Sequence, residues 1–198
     1  MLNRALWAEK EFGAGVGVLN LVSIEISDGV GAGIVLDGDI YTSLNGVSGE
    51  FGHVSVDYKG PKCKCGNFGC LEMYVSVPAI IKKTEESLGR NLQGINELKE
   101  LLDKDNTEAK NVVDEAAKTL AFGINNLVNI IDPEVVVIYG KLSRLGDYIL
   151  SPLLKYSESL SLSPVATEIK YSLLDDDAVT RGGAKYAFDK FFTRKKIF

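Results

Sequence analysis

A chain of 198 residues, 45% hydrophobic and 25% charged, is long enough for one sizeable core or two small domains, and it reads as globular. Its formal net charge of -5 and pI near 5.0 argue against direct contact with nucleic acid, because neutralising phosphates needs a clustered basic surface. No apolar run approaches the ~20 residues of a membrane span and the N-terminus lacks the apolar core of a signal peptide, so a cytoplasmic, reducing location without a membrane partner is expected.

Met1 to Phe12 is predicted as a helix. Leu2, Ala5, Leu6 and Ala8 form its apolar stripe, Glu9, Lys10 and Glu11 are expected to face water, and Gly13 stops it. A helix with no earlier element to pack against looks like the start of a chain cut into. Leu19 to Ser27 reads as a strand. Asp28-Gly29 turns it into a second strand, Gly31 to Leu36, and Asp37-Gly38 turns that into a third, Asp39 to Tyr41. Gly29, Gly31 and Gly33 suit a hairpin, by far the commoner use, although bare amides in such a turn can also form an anion nest for a phosphate.

The next stretch, Gly46 to Glu72, holds the one histidine, His53, and all three cysteines, Cys63, Cys65 and Cys70, within 18 consecutive positions. One His and three Cys make a closed tetrahedral set for Zn²⁺ of the structural type, with glycines between the ligands for the loop to fold round an ion. The competing explanation is three buried free thiols beside a satisfied core histidine. A disulfide framework is weaker, since three cysteines leave one unpaired.

Glu72 opens a short helical stretch, and Pro78 begins a helix over Ala79 to Leu88. Asn96 to Asp103 is a further short helix. The longest helix is predicted over Thr107 to Ile131, with Asp105 and Glu108 spaced as a capping box and Val113, Ala116, Leu120, Ile124, Leu127 and Ile131 on one buried face. Asp132-Pro133 ends it. Val135 to Ile138 is a continuous β-branched run, the pattern of a parallel strand covered on both faces, closed by Gly140. A helix near Leu145 to Tyr156, a strand near Thr167 to Ser172 and a helix over Gly183 to Phe192 complete an α/β chain with a mixed sheet. Arg194, Lys195 and Lys196 read as a solvated helix end rather than a contact site.

Together these segments resemble the second half of the ROK family (repressor, open reading frame, kinase), which comprises sugar kinases and sugar-responsive regulators on the actin-like, ribonuclease H-like ATPase fold. The motifs that carry the resemblance are Gly49-Glu50-Phe51-Gly52-His53 and Cys63-Lys64-Cys65-Gly66-Asn67-Phe68-Gly69-Cys70-Leu71-Glu72. The resemblance implies that 1–198 form a single C-terminal ROK domain and that His53, Cys63, Cys65 and Cys70 hold zinc. It further implies that Glu50, His53 and Glu72 contact sugar hydroxyls and that the protein dimerises with itself. Carboxylates accept paired hydrogen bonds from vicinal hydroxyls, and a metal-fixed loop holds them rigidly.

The kinase motifs depart from that pattern. By the resemblance Met1 falls where the kinases carry their catalytic Asp, and a thioether cannot accept a proton. The nucleotide-binding first half and a helix-turn-helix are expected to be absent. The phosphate turn reads Ser27-Asp28-Gly29-Val30-Gly31, with Gly29 and Gly31 as its remnant, and an added carboxylate at Asp28 would repel a triphosphate. The glycines after the late strand are reduced to Tyr139-Gly140-Lys141. The expectation is a zinc-containing sugar-binding domain of the regulator branch, without kinase activity. The alternative is a portion of an ATP-dependent sugar kinase, which would use ATP and Mg²⁺.

Overall fold

The computed structural model of the chain describes residues 2–44, 48–160, 162, 167–174 and 176–193. Met1, the start of the Gly46 stretch, and Arg194 to Lys196 lie outside the described residues. A first helix, α1 (Leu2–Phe12), is followed by strands β1 (Leu21–Ile26), β2 (Val30–Leu36) and β3 (Asp39–Ile40), and by a single 3₁₀ turn at Phe51–His53. Helices α2 (Glu72–Val75), α3 (Val77–Leu88), α4 (Ile95–Asp103) and α5 (Thr107–Ile131) come next. Strand β4 (Val135–Tyr139), a 3₁₀ segment Lys141–Leu145, helix α6 (Asp147–Leu160), strand β5 (Glu168–Tyr171) and helix α7 (Asp176–Thr193) complete the order.

The five strands form one mixed sheet in the order β3-β2-β1-β4-β5. β1 is antiparallel to β2, with Ile26 opposite Val30 across the hairpin, and parallel to β4, with Val22 opposite Val136 and Ile24 opposite Ile138. The β-branched run in β4 is buried on both sides, as expected of a covered parallel strand. Val136 and Ile138 pack with Val22, Ile24 and Ile26 against α5 and α6, whereas Val135 and Val137 pack with Leu21, Val35 and Leu6 of α1. Each such side chain removed from water contributes roughly 1.5–3 kcal/mol.

Three expectations are corrected. Glu9 does not face water: it is 2% exposed, accepts the Ala14 N–H at 3.0 Å and takes a hydrogen bond from the Ser172 hydroxyl. The spacing of α1 could not reveal this, because Ser172 arrives from the far end of the chain. The Asp105/Glu108 capping box does not form. Asp105 takes a left-handed backbone (φ 60°), and Asn106, at φ -63° and ψ 121°, caps α5 by accepting the Ala109 N–H at 2.8 Å. Helix α7 begins at Asp176, before Gly183, the residue expected to open it. Gly182 and Gly183 lie inside the helix where it crosses α1 closely: a Cβ on Gly182 would stand 2.6 Å from the Ala8 backbone nitrogen.

No helix among the described residues is long and apolar enough to cross a membrane.

Candidate functional site

Residues 53–72 fold onto themselves through short backbone links. The Cys63 N–H donates to Asn67 O (2.8 Å), the Gly69 N–H to Pro61 O (2.8 Å) and the Leu71 N–H to Val54 O (2.9 Å). Gly69 has φ +60°, and a Cβ there would stand 1.6 Å from Asp57 O, so the turn admits glycine alone. The base of the loop is fixed to α5, where Gly123 leaves room for Leu71 and Phe51; a Cβ at 123 would lie 2.8 Å from a Leu71 methyl.

This folding brings His53, Cys63, Cys65 and Cys70 together, with ligand atoms all within 4.8 Å of one another. Cys63 Sγ lies 3.6 Å from His53 Nδ1, and Cys65 Sγ lies 3.6 Å from Cys70 Sγ. A tetrahedral zinc with bonds of about 2.3 Å to sulfur and about 2.0–2.1 Å to nitrogen needs S···S and S···N separations of about 3.8 and 3.6 Å. The donor set therefore fits such an ion, and all three cysteines are free thiols. Burial pushes the Cys70 thiol up to about 12, whereas the backbone N–H of Asn67 lowers that of exposed Cys65. A bound cation would offset the cost of the buried thiolate.

His53 connects the cluster to a cavity. With Nδ1 turned to the sulfurs, its Nε2 faces Glu50, 3.7 Å from Oε2. A metal held on Nδ1 would oblige a neutral ring to carry its proton on Nε2, which would make His53 a donor toward that cavity. The cavity, 420 Å³ in volume, is lined by Glu25, Ser27, Asp28, Gly29, Val30, Gly31, Glu50, His53, Lys64 and Glu72. Glu72, at the start of α2, accepts the Val30 N–H on Oε2 (3.2 Å), and its Oε1 lies 3.0 Å from the Lys64 ammonium. That partner raises the Lys64 pKa. Glu72 thus ties the His/Cys₃ loop to the β1–β2 turn.

A neighbouring cavity of 540 Å³ lies at the carboxyl ends of the parallel strands, where α/β sheets commonly bind ligands. It is lined by Glu25 and Ser27 after β1, Tyr139, Gly140 and Lys141 after β4, Ser172 and Leu174 after β5, and Arg4, Ala5, Glu9, Ser143 and Arg144. Burial, and secondly the carboxylate of Glu25, raise the Tyr139 phenol. Between the two cavities the Lys141 ammonium makes a bidentate pair with Asp28, at 2.8 and 2.6 Å.

The residues singled out in sequence therefore converge. Glu50, His53, Glu72, Gly29 and Gly31 share the smaller cavity, and the four metal-ligand candidates share one cluster. Met1 lies outside the described residues. Glu25 and Lys64 were missed, as was the pairing of Asp28 with Lys141. A lone carboxylate in the apolar run Leu21-Val22-Ser23-Ile24-Glu25-Ile26 is a signal for the first. Lys64 stands out by its place between two cysteines, but no local pattern announces a contact between residues 28 and 141.

A mixed sheet covered by helices on both faces, with a His/Cys₃ cluster beside a polar cleft, makes this an α/β protein with a candidate metal site. The chain belongs to the ROK family, whose profile matches residues 2–190. It is 36% identical over 197 residues to a glucokinase of Halalkalibacterium halodurans, covering 91% of this chain and 60% of the relative. It is 29% identical over 192 residues to the xylose repressor of Bacillus subtilis, covering 96% and 49%. The crystal structure of a ROK hexokinase from Thermus thermophilus superposes with a TM-score of 0.85 at 28% identity, covering 93% and 64%. The chain thus spans about half to two thirds of the length of these proteins, and its sheet and helices have the actin-like fold of ROK sugar kinases.

Proposed function

We propose that this chain is the zinc-holding, sugar-binding part of a ROK-type transcriptional regulator and does not transfer phosphoryl groups. The observation that carries the sugar reading is the position of His53, with one ring nitrogen in the metal cluster and the other facing Glu50 in the cavity. When bound, zinc supplies a fixed positive centre that holds the ring and the loop. Glu50 and Glu72 then accept hydrogen bonds from sugar hydroxyls while the His53 Nε2–H donates one. Glu72 keeps acceptor capacity beyond its bonds to Val30 and Lys64.

The regulator reading is supported by the β1–β2 turn. Its Val30 amide is taken by Glu72, and it carries a carboxylate, Asp28, facing the cleft. No direct contact of this part with nucleic acid is expected at a net charge of -5. An apolar groove between β2 and α5, lined by Ile34, Phe51, Val54, Leu127 and the exposed Ile130, supports a homodimer.

The second reading is an ATP-dependent sugar kinase acting with Mg²⁺, favoured by the 36% identity to a glucokinase. Titrating glucose and xylose into the zinc-loaded chain, with and without MgATP, separates the two. Heat on sugar addition without ADP formation is expected. Sugar-dependent ADP release would install the kinase reading, and the absence of heat with either sugar would count against a sugar site of this specificity.

A further inference from the structure

The Asp28–Lys141 pair stands where the two cavities meet. Asp28 lines the smaller one and Lys141 the larger, while Glu25 and Ser27 line both. Its side chains are 72% and 47% exposed, so it adds little to stability, as surface ion pairs generally do. Yet it is built in place. The Lys141 N–H donates to Ser27 Oγ at 3.1 Å, and Gly140, at φ +99°, lets the two turns touch: a Cβ there would stand 2.6 Å from Ser27 Oγ and 2.7 Å from Ile26 O. The lysine is therefore anchored at its backbone beside the carboxylate it meets.

In the same turn as Asp28 the same thing happens to an amide. The Val30 N–H is one of the donors that a β1–β2 turn would offer to an anion, and Glu72 occupies it at 3.2 Å. Two donors at this junction, an ammonium and a backbone N–H, thus already hold carboxylates of the chain itself. A phosphate arriving there would have to displace Asp28 from Lys141 and would then lie against a bare carboxylate.

We propose that the junction is a self-neutralised anion cradle. Asp28 holds Lys141 and Glu72 holds the Val30 amide, so the cleft rejects polyphosphates while the smaller cavity still takes an uncharged polyol. The inference rests on the sugar-binding, non-phosphorylating reading above and names the group, Asp28, that sets this selectivity. Without its charge, Lys141 joins Arg4 and Arg144 as cations lining the larger cavity.

The test is calorimetric titration of inorganic tripolyphosphate at low salt into the wild-type chain, Asp28→Asn, Asp28→Ser, Lys141→Ala and Asp28→Asn/Lys141→Ala. Melting curves verify that each variant is folded. Both Asp28 variants are expected to bind at least about tenfold more tightly than wild type, with affinity falling as salt is added. Lys141→Ala gains nothing, and the double variant returns toward the wild-type value. Equal affinity in wild type and the Asp28 variants, or a gain in Lys141→Ala alone, would overturn the proposal. A parallel sugar titration of the wild-type chain reports on the sugar reading separately: failure there leaves the tripolyphosphate comparison intact, and the reverse holds too.

Discussion

At the scale of single residues, His53 and Glu9 show what a side chain's neighbours decide. With a metal on Nδ1, the His53 ring is expected to be neutral with its proton on Nε2. Long-range ¹H–¹⁵N spectra of the zinc-loaded protein check this, and a ring that is doubly protonated near neutral pH would refute it. Glu9→Ala strips the Ala14 amide and the Ser172 hydroxyl of their common acceptor in a buried place. It is expected to cost roughly 1–3 kcal/mol in urea denaturation. The clustering of His53 with the three cysteines was legible in the sequence because all four residues fall within one short stretch, where spacing and chemistry coincide. Glu9 was not, because its period on α1 groups it with Lys10 and Glu11, and only the return of the chain at Ser172 buries it.

At the scale of elements, the meander of the first three strands and the buried face of α5 followed from pattern, whereas helix ends depended on backbone angles that pattern does not carry. Asp105 has the composition and spacing of a cap but a left-handed backbone, so Asn106 takes the role. Asn106→Ala is accordingly expected to lower stability by about 1 kcal/mol, and Asp105→Ala to remove no cap. Gly123 would ordinarily weaken a long helix, yet it gives Phe51 and Leu71, at the base of the His/Cys₃ loop, their seat on α5. Gly123→Val should overpack this contact and cost roughly 1–3 kcal/mol, read from the shift of the denaturation midpoint. Helix α4 carries a pH signature. Its Glu97 accepts the Gln93 N–H and pairs with Arg90, and these hold its carboxyl below the ordinary 4.5. A depressed carboxyl stabilises the fold above its unfolded value and ceases to do so as pH falls through the folded one. The acid limb of a melting-temperature profile should therefore flatten in Glu97→Gln, with the difference from wild type vanishing at the lowest pH.

At the scale of the whole molecule, one line of contacts joins the His/Cys₃ loop, the cleft and the sheet. Lys64, between two cysteines, meets Glu72; Glu72 holds the turn at Val30; Asp28 in that turn meets Lys141 after β4. The strands were legible because β1 interleaves Ser23 and Glu25 with apolar residues and β4 is a continuous β-branched run, and the fold followed from the Gly49–His53 and Cys63–Glu72 motifs. The link between the two turns was not, since 113 residues separate its ends and only the parallel pairing of β1 with β4 brings them side by side. On the proposed reading, a metal-fixed loop shapes the sugar cavity through His53, Glu50 and Glu72. This is tested most directly by titrating glucose and xylose into the zinc-loaded chain and into the same preparation after a strong chelator has removed the ion. Metal removal is expected to lower the melting temperature and abolish sugar binding while the helical circular dichroism at low temperature persists. Undiminished sugar affinity in the metal-free protein would contradict the account.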